Sequence, residues 1–219
     1  MGHHTQDLSD VVYGNRSDNN PALLHVRYCH YQGVKIHAYV EQDRMSSDQP
    51  YEYQFTIEPV ITESDLVAVQ QLFVAYVDWL DLDISFQGFE MELRVLPGRY
   101  APPSGRLLIA RKMRTGEPLG CIAVRPLEVL DEPGCEMKRL YVSPAARGMG
   151  VGKALAARAI LEAKMVPYRY MKLDTLPGRM AGAIQLYKEL GFVPCERYYE
   201  TPLEDTLFMH LDLCDGEST

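Results

Sequence analysis

The sequence is poor in several features that would settle its class at once. None of its 219 residues falls in an apolar run long enough to cross a bilayer, so no stretch reads as a transmembrane helix. Met1–Asp10 lacks the basic start and apolar centre of a secretory signal, and Asn15-Arg16-Ser17, which fits the glycosylation pattern, is read as chance. Positive charge is in deficit: 22 Lys and Arg against 30 Asp and Glu leave a net charge of −8, which argues against nucleic acid as a partner. The five cysteines (Cys29, Cys121, Cys135, Cys195, Cys214) are odd in number and scattered, with no metal-ligand spacing. They read as reduced thiols in a cytoplasmic setting, and neither they nor His3-His4 suggest a metal site. No internal repeat is visible.

What is present is an ordinary globular composition, 47% hydrophobic and 24% charged, in a chain long enough for one domain and an appendage. Residues 1–52 read as an N-terminal extension: a polar, mobile tail over 1–20, then LLHVRYCHY and VKIHAYV flanking Gln32-Gly33 as a hairpin, then a linker. Residues 53–215 read as the domain. Tyr53–Glu58 alternates as a strand, and Thr62 with Asp65 forms a capping-box-like start to a helix. Leu66, Val69, Phe73, Val77 and Leu80 then recur at helical spacing. Phe86–Val95 reads as a second helix, running into the Pro- and Gly-punctuated LPGRYAPPSG.

Extended segments follow at Arg106–Lys112, Leu119–Arg125 and Glu136–Val142, the first two joined by a turn at Thr115-Gly116. Val151–Lys164 is helical, Tyr168–Asp174 is a strand, and a helix carrying Ala183, Tyr187 and Leu190 ends at Gly191. Phe192–Cys195 and Thr206–Leu213 complete the sheet. The order is mixed, antiparallel strands first and then a β–loop–α–β unit, which makes the fold class α/β (α+β).

The stretch that carries chemistry is Glu136–Lys153, EMKRLYVSPAARGMGVGK. A strand feeds a glycine-rich loop and then a helix N-terminus, where bare N–H groups and the positive end of the helix dipole favour phosphate. Spacing discriminates among phosphate loops. A Walker A loop needs glycine where Arg147 stands and Ser or Thr where Ala154 stands. A dinucleotide fingerprint starting at Gly148 needs glycine at Lys153, and one starting at Gly150 needs it at Leu155. R-x-x-G-x-G, formed by Arg147, Gly150 and Gly152, does fit.

With MKRLYVSP before that loop and AIQLYKELGFVP further on, the chain resembles the GNAT acyltransferases from about Tyr53 to Leu213. The resemblance implies a mixed central sheet with splayed fourth and fifth strands flanked by helices, and an acetyl-CoA-dependent N-acetyltransferase acting through a ternary complex. It implies that Arg147, Gly148, Met149, Gly150, Val151, Gly152 and Lys153 hold the cofactor pyrophosphate. Leu140, Tyr141 and Val142 would bind the pantetheine arm, with the Val142 N–H as oxyanion donor. Glu136, eleven residues before Arg147, occupies the place of the glutamate base in the histone-acetylating branch. Strand alternation would put it on one face with Lys138, Leu140 and Val142; Glu90, Glu92 and Asp174 are alternative bases.

Tyr187 matches the family tyrosine that protonates the departing thiolate. Met180, seven residues earlier, stands where the family often carries a cofactor-contacting Asn, so no such contact carries over. Arg94, Arg99, Tyr100, Arg125, Arg139 and Asp174 are candidates for the acceptor side, where two converging arginines would favour an anionic group on the amine. The expected acceptor is a small amine or amino-acid-like metabolite. No nucleic acid, membrane or metal is expected, and a homodimer stays open. A non-catalytic CoA-binding sensor, or an enzyme acting on peptides, is the alternative.

Overall fold

The structure, a computed structural model, describes residues 55–127 and 132–214, together with two strands nearer the N-terminus. These two, β1 (Leu8–Val12) and β2 (His25–Cys29), pair antiparallel with Leu8 opposite Cys29. The sequence predicts a tail over 1–20 and a hairpin in which VKIHAYV, residues 34–40, pairs with LLHVRYCHY. The first is corrected by β1, while 34–40 lies outside the described residues.

The main sheet has seven strands: β3 (Phe55–Pro59), β4 (Arg106–Lys112), β5 (Pro118–Leu127), β6 (Gly134–Val142), β7 (Tyr170–Thr175), β8 (Val193–Pro194) and β9 (Leu207–Asp212). Their spatial order is β3-β4-β5-β6-β7-β9-β8, and only the β6–β7 pair is parallel. Pro59 is tolerated because β3 is an edge strand and no further neighbour needs the missing N–H.

Helix α1 (Glu63–Leu80) begins at Thr62 as the sequence predicts. The Thr62 hydroxyl accepts from the Asp65 N–H at 3.1 Å, and the Asp65 carboxylate accepts from the Thr62 N–H at 3.1 Å. The predicted second helix is broken: Gly88, at φ 71°, separates a 3₁₀ turn at Ser85–Gln87 from α2 (Phe89–Arg94). The other helices are α3 (Val151–Met165) and α4 (Ala181–Glu189).

Strand alternation sorts the core into two layers. Leu108 and Ala110 of β4 face the layer that holds Leu155 and Ile160 of α3 and Tyr187 of α4. Leu107 and Ile109 face the layer that holds Val69 and Phe73 of α1. In β6 the alternation fails. Cys121 pairs with Tyr141 but Ala123 pairs with Lys138, so Arg139 and Leu140 form a bulge, and Arg139 takes φ 57°. Below the bulge Cys135 and Met137 face the α3 layer; above it Leu140 and Val142 do, and Tyr141 joins α1. The expected common face for Glu136, Lys138, Leu140 and Val142 is therefore corrected, because the extra residue inverts every side chain beyond it.

Beside the bulge the parallel ladder stops. β6 and β7 pair at Gly134↔Tyr170, Cys135↔Met171 and Glu136↔Lys172 and no further. The splay expected from the resemblance is present, and the wedge it opens is where the site lies.

Candidate active site

A cavity of about 550 Å³ occupies the wedge. Its floor is Met137–Val142 of β6. One wall is the loop and first turn of α3, and the other is Asp174–Leu176 at the end of β7 with Met180, Ala183, Leu186 and Tyr187 around α4. The last turn of α1 covers it with Tyr76, Trp79 and Leu80.

The α3 end is built for an anion. Gly148 and Gly150 sit at φ 80° and 79°, a left-handed conformation that costs other residues about 1–2 kcal/mol. Gly150 is the N-cap and supplies no side chain to the helix, so no side-chain cap is present. The first N–H groups of α3 thus open into the cavity instead of being satisfied by a neighbour. Arg147 sits beside them, its guanidinium 5.1 Å from the Trp79 ring and its Nε donating to the Val142 carbonyl at 3.4 Å.

At the other end lie paired charges. Lys138 Nζ donates to Asp174 Oδ1 at 2.9 Å, spanning the splayed strands, and both residues line the cavity. Burial raises the Asp174 carboxyl, but the Lys138 charge and hydrogen bond outweigh it and hold it below its ordinary value. Arg139 is clamped by Glu92, Nε to Oε1 at 2.9 Å and Nη2 to Oε2 at 2.6 Å, with Gln87 accepting from Nη1 at 3.1 Å. Burial likewise pushes Glu92 up, and Arg139 more than offsets it. Removing Glu92 would leave a buried, uncompensated cation, a loss of about 3–5 kcal/mol.

Two tyrosines stand between the ends. Tyr187 is buried, with its ring edge-on to Phe192, and burial, then Tyr76 and Asp174, push its hydroxyl well up. Tyr76 is pushed up to about 12, by burial first; Asp174 and Glu92 add to the rise and Arg139 opposes it. Both stay protonated at neutral pH and are proton donors, not bases.

Residues 73–192 match the acetyltransferase (GNAT) family. An uncharacterised N-acetyltransferase of Schizosaccharomyces pombe is 37% identical over 159 residues, covering 72% of this chain and 94% of that protein. The chain belongs to the GNAT family. It is an acetyltransferase of that family by these relationships, and solved structures agree on the fold. A Staphylococcus aureus GNAT acetyltransferase superposes with a TM-score of 0.60 at 18% identity, covering 73% of this chain and 99% of that one. A Salmonella typhimurium structure that holds its cofactor acetyl-CoA gives 0.53 at 23% identity, covering 75% and 97%.

Within this GNAT domain the cavity gathers Leu140, Tyr141, Val142, Arg147, Gly148, Gly150, Val151, Gly152 and Tyr187. Met149 packs on the core and Lys153 pairs with Glu189 at 3.0 Å, so neither lines it. Glu136 does not line it either. It is 1% exposed, with Oε2 receiving two Arg125 N–H groups at 2.7 and 2.6 Å and Oε1 receiving the Tyr198 hydroxyl at 2.8 Å. This carboxylate holds Arg125 and Tyr198 in place behind the cavity, so the structure does not bring it to the wedge where the expected base would act.

Of the acceptor-side candidates, Arg139 and Asp174 line the cavity. Arg94 lies on the outer face of α2 beside Glu90, and Arg99 reaches the Pro126 carbonyl at 2.9 Å. Tyr100 is buried against Phe73 and donates to Glu92 at 2.8 Å, while Arg125 is taken by Glu136. The alternative bases Glu90 and Glu92 are also outside the lining. Tyr76, Trp79, Lys138 and Arg179 line the cavity without having been predicted for it. Trp79 had a faint signal, a large aromatic on α1 lying off its core stripe of Val69, Phe73 and Leu80, whereas Tyr76 falls on that stripe and reads as core.

Proposed function

We propose that this enzyme transfers the acetyl group of acetyl-CoA to the amine of a small, amino-acid-like metabolite. The observation that supports this best is that one cavity joins an uncapped helix N-terminus, which suits the cofactor phosphates, to a tyrosine and a carboxylate–lysine pair. Arg147 and the loop Gly148–Gly152 hold the pyrophosphate, and Leu140, Tyr141 and Val142 bind the pantetheine arm in the wedge. The Val142 N–H takes the developing oxyanion. A cytoplasmic location is consistent with four free cysteines among the described residues.

The step balances without a dedicated base. An amine that has left its proton to solvent attacks the thioester carbon through its lone pair, giving a tetrahedral intermediate with a protonated nitrogen. Collapse breaks the C–S bond, and the electron pair leaves on sulfur. Tyr187 gives its proton to the thiolate and regains one from the nitrogen, leaving an amide and a free thiol.

The test is thiol release from acetyl-CoA with a panel of amines, alongside CoA binding. Release that depends on an amine is expected; tight binding with no release by any amine would reject the activity. Tyr187→Phe should cut kcat by roughly 10²-fold or more with CoA affinity little changed. Equal kcat in both proteins would remove Tyr187 from the proton path.

A further inference from the structure

We propose that the acceptor is a free α-amino acid with an apolar or aromatic side chain, recognised by the Lys138–Asp174 pair. This rests on the acetyltransferase reading and narrows it. The pair sits two residues beyond the last parallel contact, Glu136↔Lys172, at the point where β6 and β7 part. A molecule entering the wedge therefore meets a cation and a carboxylate held 2.9 Å apart. The amine and carboxylate of an α-amino acid are separated by one carbon and present the opposite polarity at matching spacing. One amine N–H goes to Asp174, which orients the nitrogen lone pair, and the carboxylate goes to Lys138.

Lys138 can exchange partners because it is doubly supported. Glu136 Oε1 lies 3.8 Å from its Nζ, so the ammonium keeps a carboxylate neighbour when Asp174 turns to the substrate. Glu136 is itself anchored by Arg125 and Tyr198, which fixes the back of this subsite. The surrounding charges balance, with Arg125, Lys138 and Arg139 facing Glu136, Asp174 and Glu92. An amino acid arrives with one charge of each sign and leaves that balance intact, its ammonium then giving one proton to solvent before attack, whereas a polyamine would add several cations. The remaining lining on this side is mainly apolar, with Tyr76, Leu80, Ile84, Tyr141 and Leu203 offering surface to a side chain; the further charge there, Arg179, donates from Nη1 to the Leu80 carbonyl at 2.6 Å.

The experiment compares L-phenylalanine, its methyl ester, phenethylamine and a peptide beginning with phenylalanine, reading thiol release by the whole protein. The ester and the peptide keep the amine but lose the adjacent carboxylate. The free acid should exceed each of the others by at least about tenfold in kcat/KM. Lys138→Met should bring the acid-to-ester ratio near one, and Lys138→Arg should keep most of the preference. An ester, amine or peptide used as well as the acid by the wild-type protein overturns this assignment alone. Tight CoA binding with no turnover of any amine overturns the acetyltransferase activity and this inference with it. The wild-type series decides the matter even where a Lys138 variant folds poorly.

Discussion

The two long helices start in opposite ways. At α1, Thr62 and Asp65 satisfy the first N–H groups from within the chain, and Arg111 holds the Asp65 carboxylate at 2.6 Å. At α3 the N-cap is Gly150, no side-chain hydrogen bond caps it, and the N–H groups face the cavity. The first helix has spent its positive end on its own stability. The second leaves that end open to the cavity, and its anchorage comes instead from burial of Leu155, Ala159 and Ile160. If the open terminus holds the cofactor and the sealed one serves only the fold, four changes separate them.

The largest effect is expected from Gly150→Val. A β-branched residue at φ 79° is strained, so the turn that leads into α3 must shift. CoA affinity measured by titration calorimetry should fall by roughly 100-fold or more. Unchanged affinity would mean that α3 does not hold the phosphates. Next, Lys153→Asp gives α3 an acid at the third helical position, where α1 has Asp65. A helix N-terminus tolerates an acid well, so the melting temperature should hold within a few degrees while CoA affinity falls about tenfold. If stability and affinity fall together, the two ends differ less than argued.

Thr62→Ala should do the reverse, costing about 1 kcal/mol in denaturant unfolding with CoA binding unaltered. The smallest effect concerns pH. Asp65 is pulled below its ordinary 3.8: burial opposes this, and the Thr62 N–H and Arg111 outweigh it. A carboxylate with a depressed pKa adds stability above its unfolded value and loses it as pH falls through the folded one. The acid limb of the stability curve, below about pH 4, should therefore be shallower in Asp65→Asn than in the wild type. Identical slopes would place that acid sensitivity elsewhere, with Glu92 and Asp174 the next carboxylates to test, since both are likewise depressed.

What could be read from sequence follows the range of the interactions. The capping box, the helical stripe of α1 and the R-x-x-G-x-G loop are contained in a few neighbouring residues, so they were legible. The break at Gly88 was missed because Phe86–Val95 keeps helical composition and a single left-handed glycine interrupts it. The surroundings of Glu136 were hidden for a longer-range reason. Its spacing from Arg147 suits a base, but its environment is set by Arg125 on the neighbouring strand and by Tyr198, 62 residues away. Tyr100 reads as a rim residue from its Pro-rich surroundings, yet it folds inward onto Phe73 and Glu92.

The sequence by itself determined the family, the order of the elements and the glycine-rich loop that opens α3, because glycine positions and local periodicity are written in the chain. Only the tertiary structure decided which polar residues share the cavity. The bulge at Arg139 inverts the strand beyond it, and the parting of β6 and β7 brings Lys138 to Asp174 across 36 residues of chain. Both depend on how far two strands stay paired, a cooperative property of the whole sheet that no local window of residues contains.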